Sequence, residues 1–594
     1  MPLLPTRRAV TAFLGATALT APALARPALG TADGYFVNLS GRWLDAYLRL
    51  QPVTATATGD HRFDGELDDM SGNGRGARLK TWRNFLAELT ALDRSKLSRD
   101  NQVDAALLAN ELKRAIWEDE VLQTWAWDPR TYSSLAGDGL YGLMSREFAP
   151  LPQRLHSAIS RMEKLPALYV QMRQNLKLAR VPAIHAETVA KQNQGVIEVV
   201  DTMIMPHADV LSAAERARLN AAVAKLRTAV AAQQTWLDKT LVPNAKGDFR
   251  LGAKLFDEKL AFTLNSPLSR KEIRAKAEAA VLTTRAAMYD AARKALAGHK
   301  DAPPAPAAPT PAQQQAAIEA ALALAYAKRP ARDKVVQASA KALADATAFV
   351  RAKKLIALPD APVEVVTMPV FAQGVAVAYC DSPGPLDKGM KTYFDVSPIP
   401  ADWTQAQTDS FLREYNTLGI QDVAVHEAMP GHYVQLWHAN ACPSVLRAVL
   451  SSGSFVEGWA VYAENMMVEQ GFLASEPLYK LVQLKVRLRT VTNAILDQAL
   501  HVDGISKEDA MHLMTVTAFQ QEREADGKWT RARLSSTQLS TYFVGVSEHD
   551  AIRAEAERRA GKAFDLRTYH DKVLSYGSAP ARYVRALMFE EKIE

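Results

Sequence analysis

The sequence predicts a mainly α-helical protein, built as one large multi-helix unit with a small β-sheet late in the chain. Three observations carry this. Apolar residues recur at three- and four-residue spacing over most of the 594 residues, as in Leu107, Leu108, Leu112 and Ile116, or Leu155, Ile159, Met162 and Leu165. Breakers fall between such runs, at Asp128-Pro129, Pro150-Leu151-Pro152 and Val181-Pro182. Between 363 and 396 the pattern changes to short β-branched or aromatic runs separated by Pro and Gly.

Taken in order, the first 25 residues read as an export signal. Arg7-Arg8 precede an apolar run, Ala9 to Thr20, which ends in the small-residue site Ala23-Leu24-Ala25. The run is too short to span a bilayer, and the arginine pair resembles a twin-arginine signal as well as an ordinary secretory one. The mature chain is expected to start near Arg26 and to be periplasmic or secreted, with no stable membrane insertion. The formal charge of +6 falls to +4 without that segment, and no dense Lys/Arg stripe with interleaved aromatics occurs, so nucleic acid is not expected as a partner. The two cysteines, Cys380 and Cys442, are open to a disulfide in an oxidising compartment or to two buried free thiols.

Residues 26–360 read as an N-terminal helical region. Its segment 298–311, GHKDAPPAPAAPTP, is a Pro/Ala-rich exposed loop and not a domain boundary. Residues 361–594 form the second region. The runs Val363 to Val366, Gly374 to Tyr379 and Lys391 to Val396 make the small sheet, and helices follow from Trp403, with turns expected at Leu418-Gly419, Gly471, Asp503-Gly504 and Gly577.

The chemistry centres on His426-Glu427-Ala428-Met429-Pro430-Gly431-His432. Two neutral imidazoles that hold a metal, beside a carboxylate that takes a proton from water, are what hydrolytic zinc needs. On a regular helix the two histidines belong four residues apart. Here the second comes at the sixth position, about 120° round and roughly 9 Å along an undisturbed helix. The motif therefore requires a break or widened turn, which Pro430 and Gly431 can supply. A structural reading is a buried helix with a satisfied histidine and a Pro-Gly break. His438 is a further candidate, read as a solvated imidazole at a helix end. Glu457, in Ser454-Phe455-Val456-Glu457, offers a third ligand, although Ser454-x-x-Glu457 also matches a capping box. Glu464, on nearly the same helical face, would then support an imidazole or be solvated.

With Glu457-Gly458-Trp459-Ala460-x-Tyr462, the His-Glu stretch resembles the bacterial domain-of-unknown-function 885 family, regarded as zinc metallopeptidases related to the gluzincins. The resemblance extends to Trp127-Asp128-Pro129, Arg161-x-x-x-Leu165-Pro166, Tyr393-Phe394, Asp497-x-x-Leu500-His501, Tyr542-Phe543-x-Gly545 and a run from Phe564 to Pro580 that includes Tyr569-His570. It implies one zinc ion on His426, His432 and Glu457, with Glu427 as general base. Tyr542 and His501 are the candidate oxyanion donors, Asp497 orienting the imidazole; a core tyrosine and an ordinary helix contact are the structural readings. The fold so implied has N-terminal helices walling a cleft over the metal helices; the sheet beside them either offers an edge strand to a peptide or is a structural hairpin that caps the helices. The expected activity is hydrolysis of short peptides. An amidase or deacylase on cell-wall or acyl-amino-acid substrates, or a non-catalytic periplasmic binding protein, are the alternatives. The oligomeric state is not legible.

Overall fold

Helix starts in this chain are written locally. In the computed structural model, which describes residues 30–368 and 377–593, Ser98 accepts from Asn101 N–H at the head of α3, and Ser212/Glu215, Ser269/Glu272 and Thr310/Gln313 form reciprocal capping boxes before α6, α7 and α8. The helices concerned are α1 (Ala32–Leu50), α2 (Gly72–Ala91), α3 (Arg99–Trp117), α4 (Arg130–Met144), α5 (Leu151–Asn175), α6 (Ala213–Trp236), α7 (Arg270–Ala295), α8 (Pro311–Ala327) and α9 (Val335–Lys353). The export segment, and residues 374–376 of the second strand run, lie outside the described residues.

The two largest of five apolar clusters among the described residues organise the molecule. One is N-terminal and local: Leu140 and Leu143 of α4, Leu155, Ile159, Met162 and Leu165 of α5, and Leu219 and Leu226 of α6 are all buried together. The other is non-local. It runs from Val103 and Leu107 of α3 through Met288 of α7 and Ile318 of α8 to Phe394, Trp459 and Leu488. It therefore crosses residue 360. Among the described residues no helix is long and apolar enough to cross a membrane.

The small sheet has three strands, β1 (Glu364–Thr367), β2 (Ala378–Asp381) and β3 (Tyr393–Val396), in the order β1-β3-β2. β3 runs parallel to β1 and antiparallel to β2, with Cys380 opposite Phe394. β2 is thus an edge strand. The helices that follow are α10 (Thr417–Glu427), α11 (His432–Asn440), α12 (Gly453–Glu469), α13 (Pro477–Gln498), α14 (Glu522–Leu534), α15 (Ser540–Ala560) and α16 (Leu566–Ser575). Gly471, Gly504 and Gly577 adopt positive φ at the expected turns. The expected turn at Leu418-Gly419 is instead the first turn of α10, because Asn416 accepts from both of their N–H groups and starts a helix there.

α12 and α15 cross at glycines. A Cβ on Gly458 would lie 2.3 Å from the Gly545 carbonyl carbon, and one on Gly545 would lie 1.8 Å from Ser454 O. Only glycine on both sides allows this approach, and it sets Glu457 of α12 beside the first turn of α15, which carries Tyr542.

Candidate metal centre

The helix through the His-Glu stretch is broken. α10 ends at Glu427 and α11 begins at His432, with a cis Met429–Pro430 bond between them. Gly431 N–H donates to Val425 O at 3.0 Å, and a Cβ at Gly431 would sit 1.8 Å from His426 O, so this closure admits glycine alone. The buried Trp459 indole donates to Pro430 O at 3.0 Å and ties the junction to α12. As a result the two imidazoles face each other, with ring centroids 4.8 Å apart and planes at 85°.

Glu457 joins them. Ser452, not Ser454, caps α12 and accepts from Phe455 N–H, while Ser454 lies inside the helix with its hydroxyl on Leu264 O. The capping-box reading of Glu457 is therefore corrected: its carboxylate is one turn further in and free of the helix start. Glu457 Oε2 lies 3.6 Å from His426 Nε2 and 3.5 Å from His432 Nε2. One donor atom from each of the three residues falls within 4.8 Å of the others. Burial raises the Glu457 carboxyl, but the two imidazoles outweigh it and hold it well below the usual carboxylate range. Its Oε2 is buried with no hydrogen-bond partner among the described residues, as is His432 Nδ1. Two nitrogens and one carboxylate oxygen around one point are a donor set that fits zinc.

The surrounding groups orient this set. His426 Nδ1 lies 2.6 Å from Glu464 Oε1, and Glu464 is 1% exposed. A proton on Nδ1 shared with that carboxylate leaves the Nε2 lone pair pointing at the centre. Glu427 Oε2 accepts from Cys380 N–H of β2 at 3.1 Å, and burial pushes its carboxyl above the ordinary range against the lowering pull of His426 and His432. Both cysteines are unpaired thiols. A recess of about 190 Å³ opens here, lined by Ala378, His426, Glu427, Lys528, Arg531 and Tyr542 among others. A larger cavity, about 670 Å³, is lined by Arg75, Arg78, Tyr141, Arg146 and Asp381 and contains none of the three donor residues.

Tyr542 belongs to this recess. Its hydroxyl oxygen accepts from Arg531 Nη2 and Gln538 Nε2, each at 3.2 Å, which leaves its own proton to donate. Burial and then the Glu457 charge raise its pKa. His501 does not belong: its Nε2 faces Ala532 O and Ser535 O, and its ring stacks on Phe256. Asp497 does not bond it either. That carboxylate accepts from Thr537 N–H, Ser540 N–H and Ser540 Oγ at the head of α15, and a π-helical stretch, Ala499–Asp503, carries His501 beyond it. His438 is not a solvated imidazole, since its Nε2 donates to Ala357 O at 3.0 Å and burial lowers its pKa. The sequence reading missed the opposite wall of the recess, Glu414, Arg489, Glu524, Lys528 and Arg531. These come from three helices: Glu414 ends the helix Gln405–Glu414, Arg489 lies on α13, and Glu524, Lys528 and Arg531 share one face of α14, so only folding brings the three groups together.

Fold and site together define a mainly helical protein with a two-histidine, one-glutamate cluster between a broken helix and its neighbour. The chain belongs to the family described as "Bacterial protein of unknown function (DUF885)", which matches residues 52–588. Among solved structures it is similar to a Shewanella oneidensis protein described as a lipoprotein of unknown function, with 33% identity, a TM-score of 0.79, and coverage of 93% of this chain and 99% of that one. A Colwellia psychrerythraea protein described as a lipoprotein shares the fold at 16% identity and a TM-score of 0.77, covering 93% and 98% of the two chains. No curated protein matches the chain.

Proposed function

We propose that the protein is an exported zinc-dependent metallopeptidase acting on short peptides. The observation that carries the reading is the convergence of His426 Nε2, His432 Nε2 and the unpartnered Glu457 Oε2 on one point, beside a buried second glutamate. His426, His432 and Glu457 would hold the ion. Bound there, zinc supplies Lewis acidity, lowering the pKa of water and polarising a carbonyl. Glu427, steadied by Cys380 N–H, takes a proton from the attacking water and passes it to the leaving amine. Tyr542 donates its hydroxyl proton to the oxyanion. The β2 edge, whose Ala378 lines the recess, offers backbone groups to an extended peptide. Export is supported by the Arg7-Arg8 segment and by the two structural neighbours described as lipoproteins.

The test is to measure bound zinc and hydrolysis of a mixed peptide library for the wild type and for Glu427→Gln. One zinc per chain in both proteins, with hydrolysis only in the first, is expected. Well-folded, zinc-supplemented wild type without bound metal would end the reading.

A further inference from the structure

The recess has two walls of opposite character. On one side stand the metal-site carboxylates. On the other, α13 and α14 bring four cations, Lys485, Arg489, Lys528 and Arg531, against two carboxylates, Glu414 and Glu524. Both carboxylates are already engaged. Glu414 Oε2 accepts from Lys485 Nζ at 2.7 Å and from Gln521 N–H at 2.9 Å. Glu524 Oε2 accepts from Tyr415 Oη at 3.0 Å, while its Oε1 lies 3.6 Å from Arg489 Nη1.

Two cations are left over. Lys528 Nζ, 7% exposed as a residue, donates to the neutral Asn493 Oδ1 at 2.9 Å. Arg531 Nη2 donates to Gln538 Oε1 at 2.8 Å and to Tyr542 Oη at 3.2 Å, and neither residue pairs with a carboxylate within 4.0 Å among the described residues. A buried or recessed cation without a counter-ion is costly to keep. Burial first, and then Arg489, push the Lys528 ammonium down to about 7. Arg531 is exposed as a residue, its neutral partners Gln538 and Tyr542 fix the plane of the guanidinium, and its fork geometry suits a carboxylate.

We infer that Arg531, with Lys528 behind it, binds a carboxylate of the substrate on the wall facing His426 and Glu427. This rests on the metallopeptidase reading of the same site and names its substrate class: short peptides carrying an anion next to the cleaved bond. The anion is either the free C-terminus or an acidic side chain in the residue after that bond. Tyr542 bridges the two halves, since the guanidinium that takes the carboxylate also bonds its hydroxyl oxygen.

The experiment uses the zinc-supplied Glu427→Gln protein, so that binding is read without turnover. Three peptides are titrated calorimetrically: acetyl-Ala-Ala with a free terminus, its C-terminal amide, and acetyl-Ala-Glu-amide. A carboxylate peptide should bind at least about 10-fold tighter than the neutral amide, and Arg531→Gln should erase an advantage of about 10- to 100-fold. Arg531→Lys should restore part of it. Preference for acetyl-Ala-Ala assigns the chain terminus, and preference for acetyl-Ala-Glu-amide assigns the side chain; either supports the inference. Equal binding of all three peptides overturns it. In the wild type, equal kcat/KM on acid and amide overturns the carboxylate site while the peptidase reading stands. Arg531-dependent, carboxylate-selective binding with no turnover of any peptide does the reverse.

Discussion

Two buried polar clusters, one in each half of the chain, show how differently charge can be placed inside the same protein. Arg161 on α5 is completely buried, yet every arm of its guanidinium is answered. Nε donates to Glu66 O at 2.8 Å, Nη1 to Gly139 O at 2.7 Å, and Nη2 to Pro52 O at 3.1 Å and Thr56 Oγ1 at 2.7 Å. That cluster is closed. The site at His426, His432 and Glu457 is as well ordered but ends in two imidazole nitrogens and a carboxylate oxygen that converge on one point, the oxygen having no hydrogen-bond partner among the described residues. The first cluster contributes to holding α4, α5 and the segment before them together. The second is the cluster on which the proposed metal site rests. A satisfied buried charge reports on the fold, and a convergent unsatisfied one reports on a ligand.

Three substitutions separate these roles, taken from the largest expected effect to the smallest. Arg161→Ala removes the guanidinium donor from Glu66 O, Gly139 O, Pro52 O and Thr56 Oγ1 and leaves a cavity among α4 and α5, and should cost about 3 kcal/mol or more in urea unfolding. Zinc uptake by the folded fraction should stay at the wild-type level; a stable Arg161→Ala protein would dissolve the contrast. Glu464→Gln should do the opposite, leaving the unfolding curve in place while zinc affinity, measured by competition with a chelator, falls about 10- to 100-fold.

His549 is a third kind of buried group, half answered. Its Nε2–H donates to Phe455 O at 3.0 Å, its Nδ1 has no hydrogen-bond partner among the described residues, and burial pushes its pKa down to about 4. Because the folded imidazole stays neutral while the unfolded one titrates near its ordinary value, the unfolded chain binds the extra proton. Stability is therefore present above the unfolded pKa and is lost as pH falls toward the folded one. His549→Gln should reduce the loss between about pH 7.5 and about pH 5 by about 1–2 kcal/mol, read from urea unfolding at the two pH values. An unchanged difference would mean that the folded imidazole takes up its proton as readily as the unfolded one.

The contrast between clusters also explains what was readable in the sequence. His426, Glu427 and His432 sit within seven residues, so the demand for a broken helix followed from spacing alone, and the break is at Pro430-Gly431 as that demand required. The match between Gly458 and Gly545 explains why Glu457-Gly458 and Tyr542-x-x-Gly545 both carry the family pattern: each glycine makes room for the other helix. Asp497 and His501 misled because four-residue spacing looks like a working pair, whereas the carboxylate is used on α15, some forty residues later in the chain. His438 misled in the same way, its partner being a carbonyl 81 residues earlier. Arg531 and Lys528 had no signal, since an unmatched cation is defined only by neighbours that folding brings to it. The helical class, the sheet and the Pro/Ala loop between α7 and α8 were legible because each depends on short-range pattern.

The bond from the Trp459 indole to Pro430 O joins the junction between the two histidines to the helix that carries the third donor, two residues beyond Glu457. Three side chains on three helices would each surrender freedom if an ion had to gather them. With the junction fastened to α12, that entropic cost falls on folding and would already be met for an ion bound as proposed. Entry then becomes a choice among ions by donor type and spacing. On the metallopeptidase reading, such preorganisation would raise the affinity for the ion by sparing it the cost of ordering its donors.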